Sequence, residues 1–382
     1  MKQIVCLATS PWYPIPTRKQ QVMRRLHDAE VLYFDPAVSL LAPLKDRSAA
    51  EKLRAWKAPG QKVTDHVTVY GLPPVWPFYN KYRWINRRNQ RRAAAWIRQV
   101  MERHGFEKPV LWVYSPVCAD LVEHVPHSAL VYDCVDRHSA YGGLMDPALV
   151  DRMELELAAR CDMVFATAEP LCRRLREANP RAAFIPNGAD DALFRQAASP
   201  RPLPADLADV PEPRLGFVGA LQRCIEYGWV ENAARRNPGW SFVFIGGEKP
   251  GVDLSALKAL PNVSFLGLKP HETLPDYLAN FQVLLNLFDD SDLSRDVSPL
   301  KFYEYLATGK PIVSTPQPAQ VQAYASIIQI ARSADEFADR CAEALDDTAP
   351  ERTEARLEAG RRSSWDARVG EMEETLRAMG IL

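Results

Sequence analysis

Two acidic residues eight positions apart, Asp296 and Glu304, bracket a lysine and a proline in the stretch DVSPLKFYEYLATGKPIVSTP, Asp296 to Pro316. The order of residues predicts a helix from about Pro299 to Thr308, with Ser298 as its cap, Pro299 in the first turn and Gly309 as its stop. An apolar strand, PIVST, follows. A loop that feeds a helix N-terminus exposes unpaired backbone N–H groups, which suits a diphosphate. Lys301 adds a full positive charge in the first turn. Glu304, one turn on, is placed to accept hydrogen bonds from a ribose diol, and Asp296, in the preceding loop, to bind the hydroxyls of a sugar.

This segment resembles the donor-binding signature of retaining GT-B glycosyltransferases, in which an acidic residue, seven others and a glutamate precede an A-x-G-x-P-V-V turn. The resemblance implies that Glu304 binds the nucleotide ribose and Asp296 the transferred sugar. It gives the diphosphate to the Ser298–Lys301 segment, chiefly the Leu300–Lys301 backbone. The chain departs from the pattern in the interval that many members fill with EGFGLP, here DVSPLK; S-x-L-K with E-Y-L-A-x-G-K-P resembles a variant in bacterial polysaccharide and cell-wall transferases. FVGALQR, Phe217 to Arg223, resembles the first C-terminal strand–glycine–turn unit of the family. It implies that Gly219 forms the turn and that Arg223 meets the donor phosphates. A downstream lysine usual in the family is missing, and position 226 is glutamate. The nucleotide-base pocket corresponds to Gly267, Leu268 and Lys269, where contacts run through backbone. SSWDARVGEMEETL, from Ser363, resembles the helix that crosses back to the N-terminal domain.

In the first half, VYDCVDRHSAY, Val131 to Tyr141, ends a strand near Asp133 and sets Asp136 and His138 in the loop beyond it. Similar Y-D-x-x-D sequences occur in bacterial polysaccharide transferases. If configuration inverts, one of these aspartates is the general base for the acceptor hydroxyl. If it is retained, the departing phosphate takes that proton while Arg223 and Lys301 stabilise the developing charge. His138 is a hydrogen-bonding candidate for the sugar. Ser10 and Arg18, after the first strand, are candidates for approaching the donor phosphates or the acceptor, although serine near a helix start commonly serves as a cap. No His/Asp/Glu cluster has metal-ligand spacing, and no metal or other cofactor is expected.

Positioning these residues requires strand ends. Short Val-, Ile- and Phe-rich runs begin at Gln3, Glu30, Val67, Val110, Ala129 and Met163, and again at Arg214, Ser241, Val263, Gln282 and Pro311. Helix-length segments divide them. Nearly all-apolar strands between helices indicate parallel sheets covered on both faces, and two such series indicate two doubly wound domains. Ligands of such sheets bind beyond the carboxyl ends of the strands. The expected fold is α/β, of GT-B architecture: two Rossmann-like domains facing across a cleft. The N-terminal acceptor-side domain is expected over 1–195, the donor-binding domain over 196–364 and the closing helix over 365–382. The break lies in FIPNGADDALF, Phe184 to Phe194, followed by the proline-rich Ser199–Pro213 stretch, which reads as a linker.

At 382 residues with 47% hydrophobic and 25% charged side chains, the chain has material for two soluble cores. No apolar run reaches the roughly 20 residues needed to span a bilayer. The N-terminus reads as a buried strand and not a signal peptide. Seven scattered cysteines without CxxC spacing fit reduced thiols and a cytoplasmic location.

Net charge is −1, but residues 1–200 hold 28 basic against 21 acidic side chains, and residues 201–382 hold 19 against 27. Residues 51–100 alone carry 11 basic and 2 acidic. Over 75–105 a helix from about Tyr79 interleaves Lys81, Arg83, Arg87, Arg88, Arg91, Arg92 and Arg98 with Trp84, Ile85, Trp96 and Ile97. That mixture suits an anionic membrane surface, peripheral on the inner face, or a surface helix whose apolar positions pack inward. A nucleic-acid partner is not expected in a sheet-rich chain without a recognised module and with a sequence pI of about 6.7.

The expected activity is transfer of a hexose-type sugar from a UDP- or GDP-sugar to a glycan, lipid-linked or cell-surface polysaccharide precursor, with retention. Two other readings stay open: a nucleotide-sugar epimerase of the same architecture, and a catalytically silent scaffold subunit. A dehydrogenase is not expected, because no Gly-x-Gly phosphate loop is present.

Overall fold

The computed structural model describes residues 1–14, 16–44, 49–140 and 145–382, the side chains at 52, 55, 292 and 293 excepted. The chain divides into two compact units, one of Met1–Pro186 with Val369–Leu382 and one of Asn187–Arg368.

In the first unit the strands are β1 Lys2–Leu7, β2 Ala29–Asp35, β3 Gln61–Lys62, β4 Val67–Gly71, β5 Val110–Val113, β6 Ala129–Cys134, β7 Met163–Ala166 and β8 Ala182–Phe184. Their order is β3-β4-β2-β1-β5-β6-β7-β8, and every pairing is parallel except β3 with β4. The second unit contains β9 Arg214–Val218, β10 Ser241–Ile245, β11 Val263–Phe265, β12 Val283–Asn286, β13 Ile312–Ser314 and β14 Gln329–Ile330. Their order is β11-β10-β9-β12-β13-β14, all parallel. All eleven apolar runs in the sequence are strands. The short β3, β8 and β14 are additional, being too brief to show a pattern.

Side chains two apart along a strand share a face, and this separates the cores. Val5, Leu7, Leu32 and Phe34 pack on one face of the first sheet, while Ile4, Cys6, Val31 and Tyr33 pack on the other. In the second sheet Val218, Val243, Ile245 and Leu284 oppose Leu215, Phe217, Phe242 and Leu285. Each fully buried side chain of this kind contributes about 1.5–3 kcal/mol, so both faces must be covered. In the first unit part of that cover comes from the chain's end. Val369, Met372 and Leu376, on the helix Trp365–Ala378, pack into the same core as Val31 and Tyr33.

Two local expectations are corrected. The proline-rich Ser199–Pro213 stretch is not a free linker. Leu207 within it is fully buried in the second unit, and Arg201 pairs with Asp276 at 2.7 Å. The basic helix runs Arg83–Arg103 and not from Tyr79. Ile85, Trp96 and Ile97 are buried in this unit, so they offer nothing to an external surface.

Candidate active site

In each sheet the strand order reverses at the first strand: β9 lies between β10 and β12, and β1 between β2 and β5, so the chain winds to one side and then returns to the other. Such a switch point leaves room for a ligand beyond the strand ends.

Beyond β9, β10 and β11 the glycine turns are bonded side by side. Gly219 N–H donates to Ile245 O at 2.9 Å, and Gly246 N–H donates to Gly267 O at 2.9 Å. Gly246 has φ +152, and a Cβ there would sit 1.8 Å from the Gly219 carbonyl oxygen. Only glycine fits, so the turns can approach this closely. Leu268 is exposed next to Gly267, and its neighbour Lys269 is tied to Asp206 at 2.5 Å. Arg223 is exposed on the loop after Gly219, and its Nε donates to Gly251 O at 3.0 Å.

The helix Leu300–Thr308 is shaped by one apolar side and one ending. Phe302, Tyr305 and Leu306 are buried in the core, and Gly309 closes the helix in the left-handed region at φ +70. The Tyr305 hydroxyl receives Val218 N–H at 2.8 Å and donates to Val218 O at 3.2 Å. Both polar groups of the last β9 residue, immediately before Gly219, therefore fix this helix. Its N-cap is Pro299, and no side chain caps the first turn. The expected capping by Ser298 is corrected. Ser298 is buried, its hydroxyl accepts Asn187 N–H at 3.0 Å, and its carbonyl accepts from Asn187 Nδ2 at 2.8 Å. The serine anchors the approach to the helix and leaves the amides of Leu300 and Lys301 without a side-chain acceptor.

One turn in, the Glu304 carboxylate lies 2.7 Å from Lys301 Nζ and 3.6 Å from His271 Nε2. Burial pushes the Glu304 carboxyl upward, but Lys301 and then His271 outweigh it and hold it below the ordinary carboxylate range. Phe194 supports both partners: its ring meets His271 edge-on at 5.3 Å, and Lys301 Nζ stands 5.9 Å above it. Asp296 is partly exposed and follows the short helix Asp292–Arg295. Thus Lys301 and Glu304 are brought into contact, with Leu300 at the helix start and Gly219 linked to it through Tyr305 and Val218. The sequence reading did not single out His271, Phe194, Asn187 or Tyr305. Phe194 and Asn187 lie in FIPNGADDALF, at the break between the two halves, where no local pattern marks a ligand contact.

In the first unit, a cavity of about 400 Å³ lies beyond β1 and β5, lined by Leu7, Thr9, Ser115, Pro116 and His138 among others. His138 opens a short 3-10 turn four residues after β6. Its imidazole is pushed down to about 4, first by burial and then by the Lys19 ammonium. At neutral pH it is therefore an uncharged donor or acceptor. Lys19 is itself pulled below its ordinary range by burial, against the attraction of Asp136 and Asp133. Asp133 is fully buried and receives Arg18 Nε at 2.9 and 3.0 Å, while Arg18 Nη1 donates to Pro186 O at 3.0 Å. That pairing removes Asp133 as a base and leaves Asp136 as the carboxylate of the loop. It also draws Arg18 into the core, away from the ligand role expected of it. Ser10 is not a helix cap. Thr17 precedes the helix Arg18–Met23, its N–H donating to Gln20 Oε1 at 2.9 Å, and the Ser10 hydroxyl lies 3.3 Å from that of Thr17. Tyr141, the last residue of the VYDCVDRHSAY stretch, lies outside the described residues.

All seven cysteines are free and buried. Among the described residues no group of three or more His, Cys, Asp or Glu side chains is placed to hold a metal ion, and no helix is long and apolar enough to cross a membrane.

Residues 212–347, which include the glycine turns, Asp296, Lys301 and Glu304, match the family described as glycosyl transferases group 1. A Bacillus subtilis protein provisionally named the teichuronic acid biosynthesis glycosyltransferase TuaH is 26% identical over 226 residues, 56% of this chain and 57% of that protein. Among solved structures, the sucrose-phosphate synthase of Thermosynechococcus elongatus is 14% identical with a TM-score of 0.70, over 100% of this chain and 99% of that one. An E. coli trehalose-6-phosphate structure bound with UDP-2-fluoro glucose is 12% identical with a TM-score of 0.72, over 98% and 99%. Anabaena HepE in complex with UDP and glucose is 15% identical with a TM-score of 0.63, over 99% and 100%. The chain has the GT-B fold, and within its second unit residues 212–347 are similar to glycosyl transferases group 1.

Proposed function

We propose that this protein transfers a hexose-type sugar from a UDP- or GDP-sugar to a glycan, lipid-linked or cell-surface polysaccharide precursor, with retention of configuration. One observation carries the reading: an uncapped helix start at Leu300 with an ionised, buried Glu304 one turn further on. Helix amides and Lys301 suit a diphosphate, and a carboxylate kept charged suits a ribose diol. Two of the similar structures support the donor class, since they were obtained with UDP-2-fluoro glucose and with UDP and glucose. The teichuronic acid relative supports a polysaccharide acceptor.

In this mechanism the Leu300 and Lys301 amides receive the diphosphate, Lys301 and Arg223 offset the charge that develops as the glycosidic bond breaks, and Asp296 holds hydroxyls of the sugar. Gly219 and the Leu268 backbone line the nucleotide's turns. The leaving phosphate accepts the acceptor proton, so no strong base is required and no metal is assigned a role. In the first unit, neutral His138 and the Asp136 carboxylate orient the acceptor, with Ser10 nearby in sequence to the cavity-lining Thr9. We place the enzyme in the cytoplasm, peripheral on the inner face of the membrane.

Thermal-shift measurements with UDP, GDP and TDP, paired with nucleotide release from their sugars, test this. A rise of several degrees with one nucleotide is expected, and Glu304→Ala should abolish it while leaving the unliganded protein folded. A wild-type protein that releases no nucleotide from any sugar donor would be a silent subunit. Interconversion of the sugar without transfer would make it an epimerase.

A further inference from the structure

The helix Arg83–Arg103 divides into two faces. At 100° per residue, the buried residues, from Ile85 and Asn86 to Met101, occupy one continuous side. Trp84, Arg87, Arg88, Arg91, Arg92 and Arg98 all fall on the other, within an arc of about 140°, and all are exposed. Trp84 is 68% exposed.

The segment leading into the helix adds to this face. Trp76, Phe78 and Tyr82 are also exposed large rings, with Trp76 at 49%. They are held outward by design of the backbone. Asn89 grips Trp76 at both backbone groups, its Nδ2 donating to Trp76 O at 3.0 Å and its Oδ1 accepting Trp76 N–H at 2.9 Å. Phe78 sits at φ +65, a conformation that bulky residues rarely adopt, and its carbonyl accepts from Lys81 and Tyr82 N–H. Cations stand over the rings: the Arg88 guanidinium lies 5.9 Å from the Trp76 ring and Lys81 Nζ lies 5.7 Å from Tyr82.

No acidic residue occurs between Val75 and Met101. Arg83 is occupied by Asp120 and Glu156, and Arg87 lies 3.7 Å from Asp120. Arg88 and Arg91 make no ion pair among the described residues. A plane of unpaired like charges with tryptophan and tyrosine between them is complementary to one class of partner, a surface of lipid phosphates with an apolar layer at ring depth. Soluble polyanions would satisfy the arginines but leave four rings in water.

We propose that Trp76, Phe78, Tyr82 and Trp84, with Arg88 and Arg91, seat this protein on a bilayer that contains anionic phospholipid. The same segment supplies Val75, Tyr79 and Asn80 to the wall of the 400 Å³ cavity beyond β1 and β5. The bilayer surface and the cavity thus share one stretch of chain. Resting on the transferase reading above, this makes the acceptor one that is carried by a lipid.

Flotation with vesicles of phosphatidylcholine alone and with phosphatidylglycerol added tests the seat without any nucleotide. Binding is expected only to the mixed vesicles, weakened at high salt. Arg88→Glu with Arg91→Glu should reduce it roughly tenfold or more, and Trp84→Ala should reduce it at unchanged charge. Equal binding to both vesicles, no binding, or wild-type binding by these variants would overturn the proposal. So would preferential retention of single-stranded DNA over mixed vesicles. The nucleotide-induced thermal shift, measured on the same variants, should stay at its wild-type size. Its absence in every protein would sink the transferase reading alone and leave the seat standing.

Discussion

At the scale of single residues, the chemistry rests on charges kept where burial opposes them. Glu304 remains ionised because Lys301 and His271 face it, and His138 remains neutral because it is covered and Lys19 is near. The second case gives a pH dependence with a definite sign. His138 titrates at about 4 in the folded chain against an ordinary 6.5, so folding favours the neutral form. Its contribution is fully present above pH 6.5 and is lost as pH falls toward 4. Replacing His138 by Gln removes that loss. Thermal midpoints measured from pH 7 to pH 4 should fall less steeply in the variant, by an amount corresponding to roughly 1–3 kcal/mol. Parallel curves would show that the imidazole is not what burial disfavours. The sequence made Glu304, Lys301 and Asp296 legible because spacing and helix signals coincide there. His271 stayed hidden because its contact with Glu304 spans thirty-odd residues and no local pattern encodes it. Ser298 was misread for a related reason: a serine before a proline has the form of a cap, and only the fold reveals Asn187 competing for it.

At the scale of elements, strands were legible almost throughout, since runs buried on both faces are apolar at every position. Helix limits were less so. The basic helix starts four residues later than its periodicity implied, because Phe78 takes a left-handed backbone and Asn89 pulls Trp76 into a loop. What positions the candidate site is the bond between helix Leu300–Thr308 and β9, made by one tyrosine. Tyr305→Phe strands both polar groups of Val218 in a buried place. It should cost about 1–3 kcal/mol in urea denaturation. It should also weaken nucleotide binding, because the helix start is then free to move from the Gly219 turn. Unchanged affinity with reduced stability would show that Tyr305 supports the fold and does not orient the site.

At the scale of the whole chain, the sequence announced two doubly wound units and a break that opens in FIPNGADDALF, but it carried the boundary on to residue 195 and read the proline-rich stretch as a linker. The division falls between Pro186 and Asn187, and Ser199–Pro213 is packed onto the second unit through Leu207 and Tyr277, whose hydroxyl donates to Asp206 at 2.8 Å. Proline content reports where regular structure ends, not whether the segment is packed. The terminal helix binds the chain's end into the first unit's core. Leu376→Ala should therefore destabilise that unit by about 2–5 kcal/mol, read as an early unfolding step with nucleotide binding by the second unit retained. Loss of both units together in one step would show that they unfold as one.

The most direct measurement is a crystal structure soaked with UDP or GDP. The diphosphate should accept hydrogen bonds from the amides of Leu300 and Lys301, with Glu304 on the ribose hydroxyls. A nucleotide bound instead in the first unit's cavity, or a helix start that stays closed to phosphate at saturating ligand, would contradict the account.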